Sequence, residues 1–447
     1  MIPKGQYLAT LAVSLGGFSA GTMLGWTSPA FEHLKPTEAN TTSSNTTLFE
    51  VSLSQESAIC AMLSVGALAF GIPSGKLADK LGRKPVLQLL SILYTLAWVI
   101  SALAWDAATL IVARFVGGLA VGGACAVCPM YIGEIADNRN RGILGSFFSN
   151  FLGLGVLYTS IIGSFTGWLG LNVGLGIFSV LFGLTLICIP ETPVFLIGMD
   201  KLEEAKKSLM FLKGDVAVAS EELTSLQRNQ PETQNSVTLA EFFKEKSYRS
   251  SLIAGLGIFI LQQTCGINPV VFYSVPIFRE AGISLPPSSI SIMINSIALA
   301  TGIGVVFLIE KKGRKYFLLL SAWSMFLGAV GLGLFFHLKS EQVNITGIFQ
   351  TIPVLSAVLI LSGFALGFGP IPWVLISELY SVEVRGIASG VNTSVNWTTC
   401  VLITSTFPIL LKYIGNYLTF YMYGVFNFAS VLFIWFLVPE TKTGLRK

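Results

Sequence analysis

Three amide side chains, Gln262, Gln263 and Asn268, stand close together inside a run of otherwise apolar residues. An amide left without a partner in apolar surroundings costs about 1–3 kcal/mol. The cluster must therefore face either a polar ligand or the polar groups of another helix, and the residues alone leave both open. Gly266 and Pro269 follow at once and can break a helix there. Trp373 and Trp397 place indole rings in later apolar runs, and Asn396 adjoins the second; taken alone, either ring reads more often as packing or interface. None of these groups ionises near neutral pH, so the chemistry on offer is recognition.

Catalysis lacks its usual players. The two histidines, His33 and His337, fall at expected loop positions, and no Asp or Glu lies in the core of any apolar run. The six cysteines all lie in apolar runs. Cys125-Ala-Val-Cys128 has a redox-like spacing but sits among small residues and reads as packing. No metal or phosphate motif appears, so no cofactor, metal or enzymatic activity is expected. The net charge of +4 is small and gives no reason to expect a nucleic-acid partner.

A second set of residues is charged and paired. Arg83 follows Gly82, and Arg314 follows Gly313. Glu134 precedes Arg141 by seven residues, and Glu378 precedes Arg385 by the same seven. Together with Glu310, these charges would tie helices within each half of the chain and close one face of it. Exposed ion pairs are worth only about 0–1 kcal/mol each, which suits a latch that opens in every cycle. Anchoring by positive charge alone would explain the Arg residues but not the two Glu at matched spacing. Arg114, buried in an apolar run, costs about 2.5–3.5 kcal/mol at mid-membrane. It would either snorkel or bind carbonyls of a neighbouring helix.

The elements that must hold these residues follow from composition. Of the 447 residues 53% are hydrophobic and only 12% are Asp, Glu, Lys or Arg, against about 25% charged in soluble domains. Mean hydropathy is +0.71. Apolar runs long enough for a ~30 Å bilayer recur at 7–28, 55–75, 85–104, 107–131, 145–166, 168–189, 251–278, 288–309, 316–337, 350–376, 387–411 and 416–438. The fold expected is an all-α membrane protein of twelve transmembrane helices in two six-helix halves. The first run exceeds a signal-peptide core and has no clear cleavage site, so it is expected to be retained.

Basic residues set the orientation. With both termini cytosolic, the outer loops hold only Lys35, Arg279, Lys339 and Lys412. Glycosylation sequons at Asn40, Asn45 and Asn344 then lie outside, while those at Asn392 and Asn396 lie in the eleventh run and should go unused. Segment 191–250 breaks the apolar pattern. Leu202, Ala205, Leu209 and Leu212 recur at helical spacing there, Leu223 and Leu226 start a second pattern, and Asp200 suits an N-cap. Short cytosolic helices are expected. The chain divides into an N-terminal half at 1–190, this linker at 191–250, a C-terminal half at 251–438 and a short cytosolic tail at 439–447.

The halves repeat. Gly82-Arg-Lys84 matches Gly313-Arg-Lys315, the Glu-to-Arg spacings match, and Pro190-Glu-Thr192 matches Pro439-Glu-Thr441, all in the same order. A duplicated six-helix unit with its ligand between the copies describes a transporter fold.

With these residues in hand, the chain resembles the sugar-porter branch of the major facilitator superfamily. The likeness rests on Gly75-Lys-Leu-Ala-Asp79-Lys-Leu-Gly82-Arg83-Lys84, Arg114-Phe-Val-Gly-Gly118, Pro190-Glu-Thr-Pro193, Gln262-Gln263-Thr-Cys-Gly-Ile-Asn268, Phe368-Gly-Pro-Ile-Pro-Trp373 with Ser377-Glu378, and Pro439-Glu-Thr441. It is similar to facilitative glucose transporters and insect facilitated trehalose transporters. The resemblance implies that Gln262, Gln263, Asn268, Trp373, Asn396 and Trp397 bind a small sugar, and that the paired charges form inter-helix salt bridges. The family pattern departs at Ser149 with Asn150, at Ala298 with Asn295 one turn earlier, at Ala365, and at Glu310-Lys311-Lys312. The first three would remove polar sugar contacts, so a roomier cavity and a disaccharide stay open.

The expected activity is facilitative transport of a hexose or trehalose by a monomer in the lipid bilayer of the plasma membrane or of an intracellular vesicle. A proton-coupled symporter and a non-transporting sugar sensor are the alternatives. Proton-coupled relatives carry an Asp in the first span where this chain has Gly25-Trp26-Thr27. Sensors add long cytosolic tails, and the tail expected here is short.

Overall fold

The computed structural model describes residues 3–34, 49, 51–137, 140–228, 242, 245, 248–283, 285–308, 312–343, 347–380 and 384–441. Asn40, Asn45, Asn344 and Glu310 lie outside them, as does the side chain of Arg385.

Among the described residues, twelve helical spans are long and apolar enough to cross a membrane: Lys4–Leu34, Leu53–Leu81, Arg83–Ala102, Ala107–Ile135, Arg141–Phe165, Trp168–Ile187, Arg249–Ala281, Pro287–Val306, Arg314–Ser340, Phe349–Ile376, Ile387–Tyr413 and Asn416–Leu437. The apolar runs read from sequence fall on them in order. The ends extend where polar residues continue the helix. The second span begins with a capping box, in which the Ser52 and Gln55 side chains each take the other's backbone N–H. The fourth begins on Asp106, whose carboxylate accepts from the Thr109 N–H at 2.8 Å.

Three spans are interrupted. The first is divided at Trp26 into helices Lys4–Gly25 and Thr27–Leu34 although Trp26 keeps helical dihedrals, while the seventh breaks at Cys265–Gly266 and the tenth between Leu366 and Ile371. Both histidines depart from the expected loop positions. His33 ends the short helix that continues the first span, and His337 lies in the last turn of the ninth. Neither is in a loop, because both helices run on past the apolar runs.

Within each half the spans approach closely through small residues. A Cβ built on Gly118 would lie 2.1 Å from the Leu63 carbonyl oxygen, and one on Gly66 would lie 2.2 Å from that of Phe115. The second and fourth spans therefore meet backbone to backbone.

After the sixth span come short helices Pro193–Gly198, Leu202–Lys213 and Val216–Arg228. Leu223 and Leu226 pack on a small core of Leu196, Ile197 and Ala205. Asp200 is not the N-cap. It takes a left-handed φ of 58°, and the helix begins a residue later than that reading requires, at Leu202 after Lys201. Lys213 bonds to Asp137 and Glu222 and pins the linker helices to the N-terminal half. Burial lowers the affinity of its ammonium for a proton, but the two carboxylates outweigh that and hold its pKa above the ordinary lysine value. The membrane face carrying these helices is called the linker face below, and the opposite one the far face.

The halves touch along spans 2 and 11, 5 and 8, and 1 and 7. The hydrogen bonds seen to join them cluster toward the far face. Ser57 donates to the Ser405 carbonyl at 2.5 Å, Ser64 and Cys400 lie 3.1 Å apart, Tyr273 bonds Cys60 at 3.0 Å, and Asn295 bonds Ser160 at 3.1 Å. Farthest out, Ser28 meets Ser274 at 2.8 Å and Arg279 pairs with Glu32. The far side is closed.

Candidate functional site

The seventh span turns at Gly266, whose φ of +88° an L side chain rarely adopts. A Cβ there would also crowd the Tyr423 ring at 3.1 Å. Pro269 then falls in the first turn of the next helix, where its missing N–H costs nothing. The turn frees the Cys265 carbonyl, which accepts from Asn427 Nδ2 of the twelfth span at 3.0 Å. The break in the tenth span likewise frees the Phe368 carbonyl, and Gln262 Nε2 donates to it. The breaks in the seventh and tenth spans thus each free a carbonyl that a buried amide takes, as apolar surroundings require.

The two adjacent glutamines take different roles because successive helical residues point about 100° apart. Gln262 is 3% exposed and has both ends engaged, with Asn396 Nδ2 donating to its Oε1 at 2.6 Å. Gln263 accepts from Asn268 Nδ2 across the turn, and among the described residues its own Nε2 has no partner. Asn268 Nδ2 also approaches Cys400 Sγ at 3.4 Å, and Ser64 completes that chain from the other half. Gln263 and Asn268 therefore sit beside the seam between halves with an amide donor and an amide oxygen to offer. Trp397 is buried on the eleventh span, one residue from Asn396, and its Nε1–H has no partner among the described residues. Trp373 is partly buried and edge-on to Phe259, with centroids 5.0 Å apart.

The positions where the family pattern departs have their own geometry. Asn150 Oδ1 and Ala365 Cβ lie 3.3 and 3.9 Å from a Cβ built on Gly302, so spans 5, 8 and 10 converge with Asn150 as their polar group. Asn295 is taken by Ser160 and by the Ser291 carbonyl at 2.9 Å.

Trp26 stands between the two helices of the first span. It donates from Nε1 to Asn172 Oδ1 at 2.9 Å, and the Arg114 guanidinium lies 5.3 Å from its ring. Arg114 itself donates to the carbonyls of Met23 at 2.6 Å and Ile59 at 3.3 Å. It is held by neighbouring helices and does not snorkel.

At the linker face the two halves build the same device. Gly82 and Gly313 have φ of 107° and 91° and begin spans 3 and 9. Glu191 Oε2 accepts from the Lys84 N–H at 2.9 Å, and Glu440 accepts from the N–H groups of Arg314 and Lys315, both at 3.2 Å. These carboxylates cap the helix N-termini. They lie so close to the glycines that a Cβ would meet them at 2.4 and 2.6 Å. Burial pushes the Glu191 carboxyl above its ordinary pKa against those N–H bonds. Arg83 pairs with Glu134 at 2.7 Å and Arg314 with Glu378 at 3.1 Å, while Thr192 donates to Glu134 at 2.5 Å and Thr441 to Glu378. Arg141 is exposed and makes no ion pair among the described residues. The pairs brought together lie within a half.

Sequence reasoning missed Asn427, Asn172 and Cys400. Asn427 and Asn172 are single amides in long apolar runs, a signal of buried hydrogen bonding that could have found them; Cys400 carried no such mark.

A family model described as sugar (and other) transporter matches residues 9–444. The facilitated trehalose transporter Tret1 of Apis mellifera ligustica is 32% identical over 440 residues, covering 98% of this chain and 86% of that protein. The protein of the same name from Bombyx mori is 31% identical, with 98% and 84% covered. That from Drosophila grimshawi is 33% identical over 98% of this chain but only 46% of its own length. The chain thus spans about half the length of some curated relatives it matches. Among solved structures, a partially occluded inward-open xylose transporter XylE from E. coli superposes with TM-score 0.79 at 23% identity, covering 98% and 99% of the two chains. The proton:xylose symporter XylE bound to 6-bromo-6-deoxy-D-glucose gives 0.75 at 24%, covering 98% and 96%. At these identities the structures show the fold, that of a major facilitator transporter.

Proposed function

The chain belongs to the sugar (and other) transporter family, and on that premise we propose that it carries a sugar, a hexose or trehalose, across a membrane by facilitated diffusion and alternating access. One observation carries the reading. Gln263 and Asn268 meet across the break in the seventh span, beside the seam between halves, and offer uncharged hydrogen-bonding groups to it. A sugar presents hydroxyls and apolar C–H faces and needs no charge. Each net hydrogen bond contributes about 0.5–1.5 kcal/mol, and millimolar binding needs only about 4 kcal/mol. Trp397 Nε1 is a further donor, and Trp373 a ring on which a sugar face can rest. Gln262 and Asn396 hold the frame around them.

Transport follows from two closures. The far-side contacts lock one face while sugar leaves by the other, and the linker-face pairs Arg83–Glu134 and Arg314–Glu378 keep each half rigid as it rocks. Arg141, Glu310 and Arg385 complete the latch when that face closes. The linker face is the cytosolic one, since most basic residues lie on it. Asn40, Asn45 and Asn344 are then extracellular and open to glycosylation. A monomer in the plasma membrane, with intracellular vesicles as the alternative site, completes the reading.

Proton coupling is disfavoured by Trp26, which puts an indole against Arg114 where a carboxylate would be needed. Reconstituted protein should exchange labelled glucose, fructose or trehalose in counterflow, and competition among the three identifies the sugar. Binding without flux would leave a sensor.

A further inference from the structure

The far face holds a polar cavity, of about 340 Å³, at the mouth of the seam. Ligand pockets begin at about this size, roughly 300–1,000 Å³. Spans 1 and 5 line it with Ser28, His33, Ser160 and Ser164, and spans 7 and 8 with Arg279 and Ser288. Each half supplies one wall. Its floor is the bridge between halves, where Ser28 meets Ser274 at 2.8 Å, Ser291 donates to Ser274 at 3.1 Å and the Val275 N–H donates to Ser28 at 3.1 Å.

The lining states the ligand's chemistry. Arg279 is paired with Glu32, so the cavity does not call for an ionic guest. Ser164 donates to the Ser160 carbonyl at 2.7 Å, which leaves its oxygen to accept. The Ser288 hydroxyl has no partner among the described residues, and His33 Nε2 is buried there without one. Hydroxyls and an imidazole nitrogen with capacity to spare match a neutral polyhydroxylated solute. Because the two walls belong to different halves, the cavity exists in this form only while the far side is closed. A guest that binds this state better than the open one shifts the population toward it.

We propose that free sugar occupies this mouth as a second site, separate from the amides at the seventh-span break, and that its occupancy holds the far side shut. The proposal rests on the sugar-carrier reading for its choice of ligand. It makes the carrier self-limiting: high sugar on the far side slows the opening through which that same sugar enters.

The test is protection from labelling. Ser288→Cys is placed in a Cys60→Ser, Cys188→Ser background, which removes the exposed native thiol and the one that opening of the far side would uncover. A membrane-impermeant maleimide is applied from the far side with glucose or trehalose, and with betaine at equal osmolarity as control. Sugar at ten times its dissociation constant should slow labelling about tenfold. The same protection should persist when Gln263→Ala has weakened the central site. Labelling unaffected by sugar, or protection that vanishes with Gln263→Ala, overturns the proposal, the latter by assigning the effect to the central site. Ser164→Cys gives the same reading should Ser288→Cys not fold. Uptake measured on the same vesicles separates the two claims. Flux without protection removes the mouth site alone, and protection without flux removes the carrier reading alone.

Discussion

Asn396 on the eleventh span donates to Gln262 on the seventh at 2.6 Å, and Gln262 passes the connection on to the Phe368 carbonyl in the broken tenth. Two side chains thereby fasten three spans of one half at the depth where two of them are interrupted. Both are buried. Gln262 has both ends engaged by the scaffold, while Gln263, one residue on, has an amide nitrogen without a partner among the described residues.

Gln262→Ala should therefore act on stability. It leaves the Phe368 carbonyl and Asn396 Nδ2 without their partner, at about 1–3 kcal/mol for each group so stranded. The melting temperature in detergent should fall clearly, and saturating sugar should still raise it by the parental amount. A normal melting temperature with lost sugar response would move Gln262 into the binding site.

The far-side ion pair Glu32–Arg279 joins the first and seventh spans, with side chains 29% and 43% exposed. Such pairs contribute about 0–1 kcal/mol. Glu32→Gln should accordingly raise the population open on the far side by up to about fivefold. Cys60 reads this out, being fully buried with Tyr273 on its sulfur. Alkylation of Cys60 from the far side should quicken in Glu32→Gln and stay at the parental rate if the pair carries no closing energy.

At the linker face, Glu378 receives Arg314 and Thr441 while Glu134 receives Arg83 and Thr192. Both sets remain formed while the far side is closed. Glu378→Ala should slow cycling and raise the accessibility of a cysteine introduced on the linker face, with equilibrium sugar affinity unchanged. Thr441→Val, which removes one donor, should give a smaller effect in the same direction. Unchanged flux and accessibility in both would leave only positive-charge anchoring for these motifs.

Counterflow should be indifferent to a proton gradient. Arg114, which a coupling carboxylate would need to oppose, is instead bonded to the Met23 and Ile59 carbonyls and covered by Trp26. Sugar accumulation in vesicles energised by a pH gradient alone would overturn this.

The spans were legible because apolar length is a property of the chain itself, and the linker-face device was legible because duplication wrote it twice. The break at Gly266 could be read from a glycine and a proline around an amide cluster. The division at Trp26, the break in the tenth span, and the positions of His33 and His337 were not so read. The division of labour between Gln262 and Gln263 was hidden for a plainer reason. Both are amides in one apolar run, and only the register of spans 10 and 11 decides which one meets Phe368 and Asn396. Asn427 was missed because a carbonyl released by one helix gives no sign of the side chain that will accept the task of pairing it.

Gln263 carries the last prediction. Its Oε1 accepts from Asn268 across the turn, and its Nε2, without a partner among the described residues, is the donor proposed for a sugar hydroxyl. Replacing it with Ala removes one direct hydrogen bond and loosens Asn268, which keeps its approach to Cys400 Sγ at 3.4 Å. Sugar binding should weaken by about 1–2 kcal/mol, a drop of roughly 5–30-fold. The melting temperature without sugar should stay near the parental value, because no carbonyl of a broken span depends on Gln263. Asn268→Ala should weaken binding comparably, and the double variant should lose less than the sum, since the two amides share one bond. Thermal shifts measured across a sugar titration read both quantities together. Parental shifts at every sugar concentration in Gln263→Ala would remove this residue from the site and leave the amide cluster as helix-to-helix bonding alone.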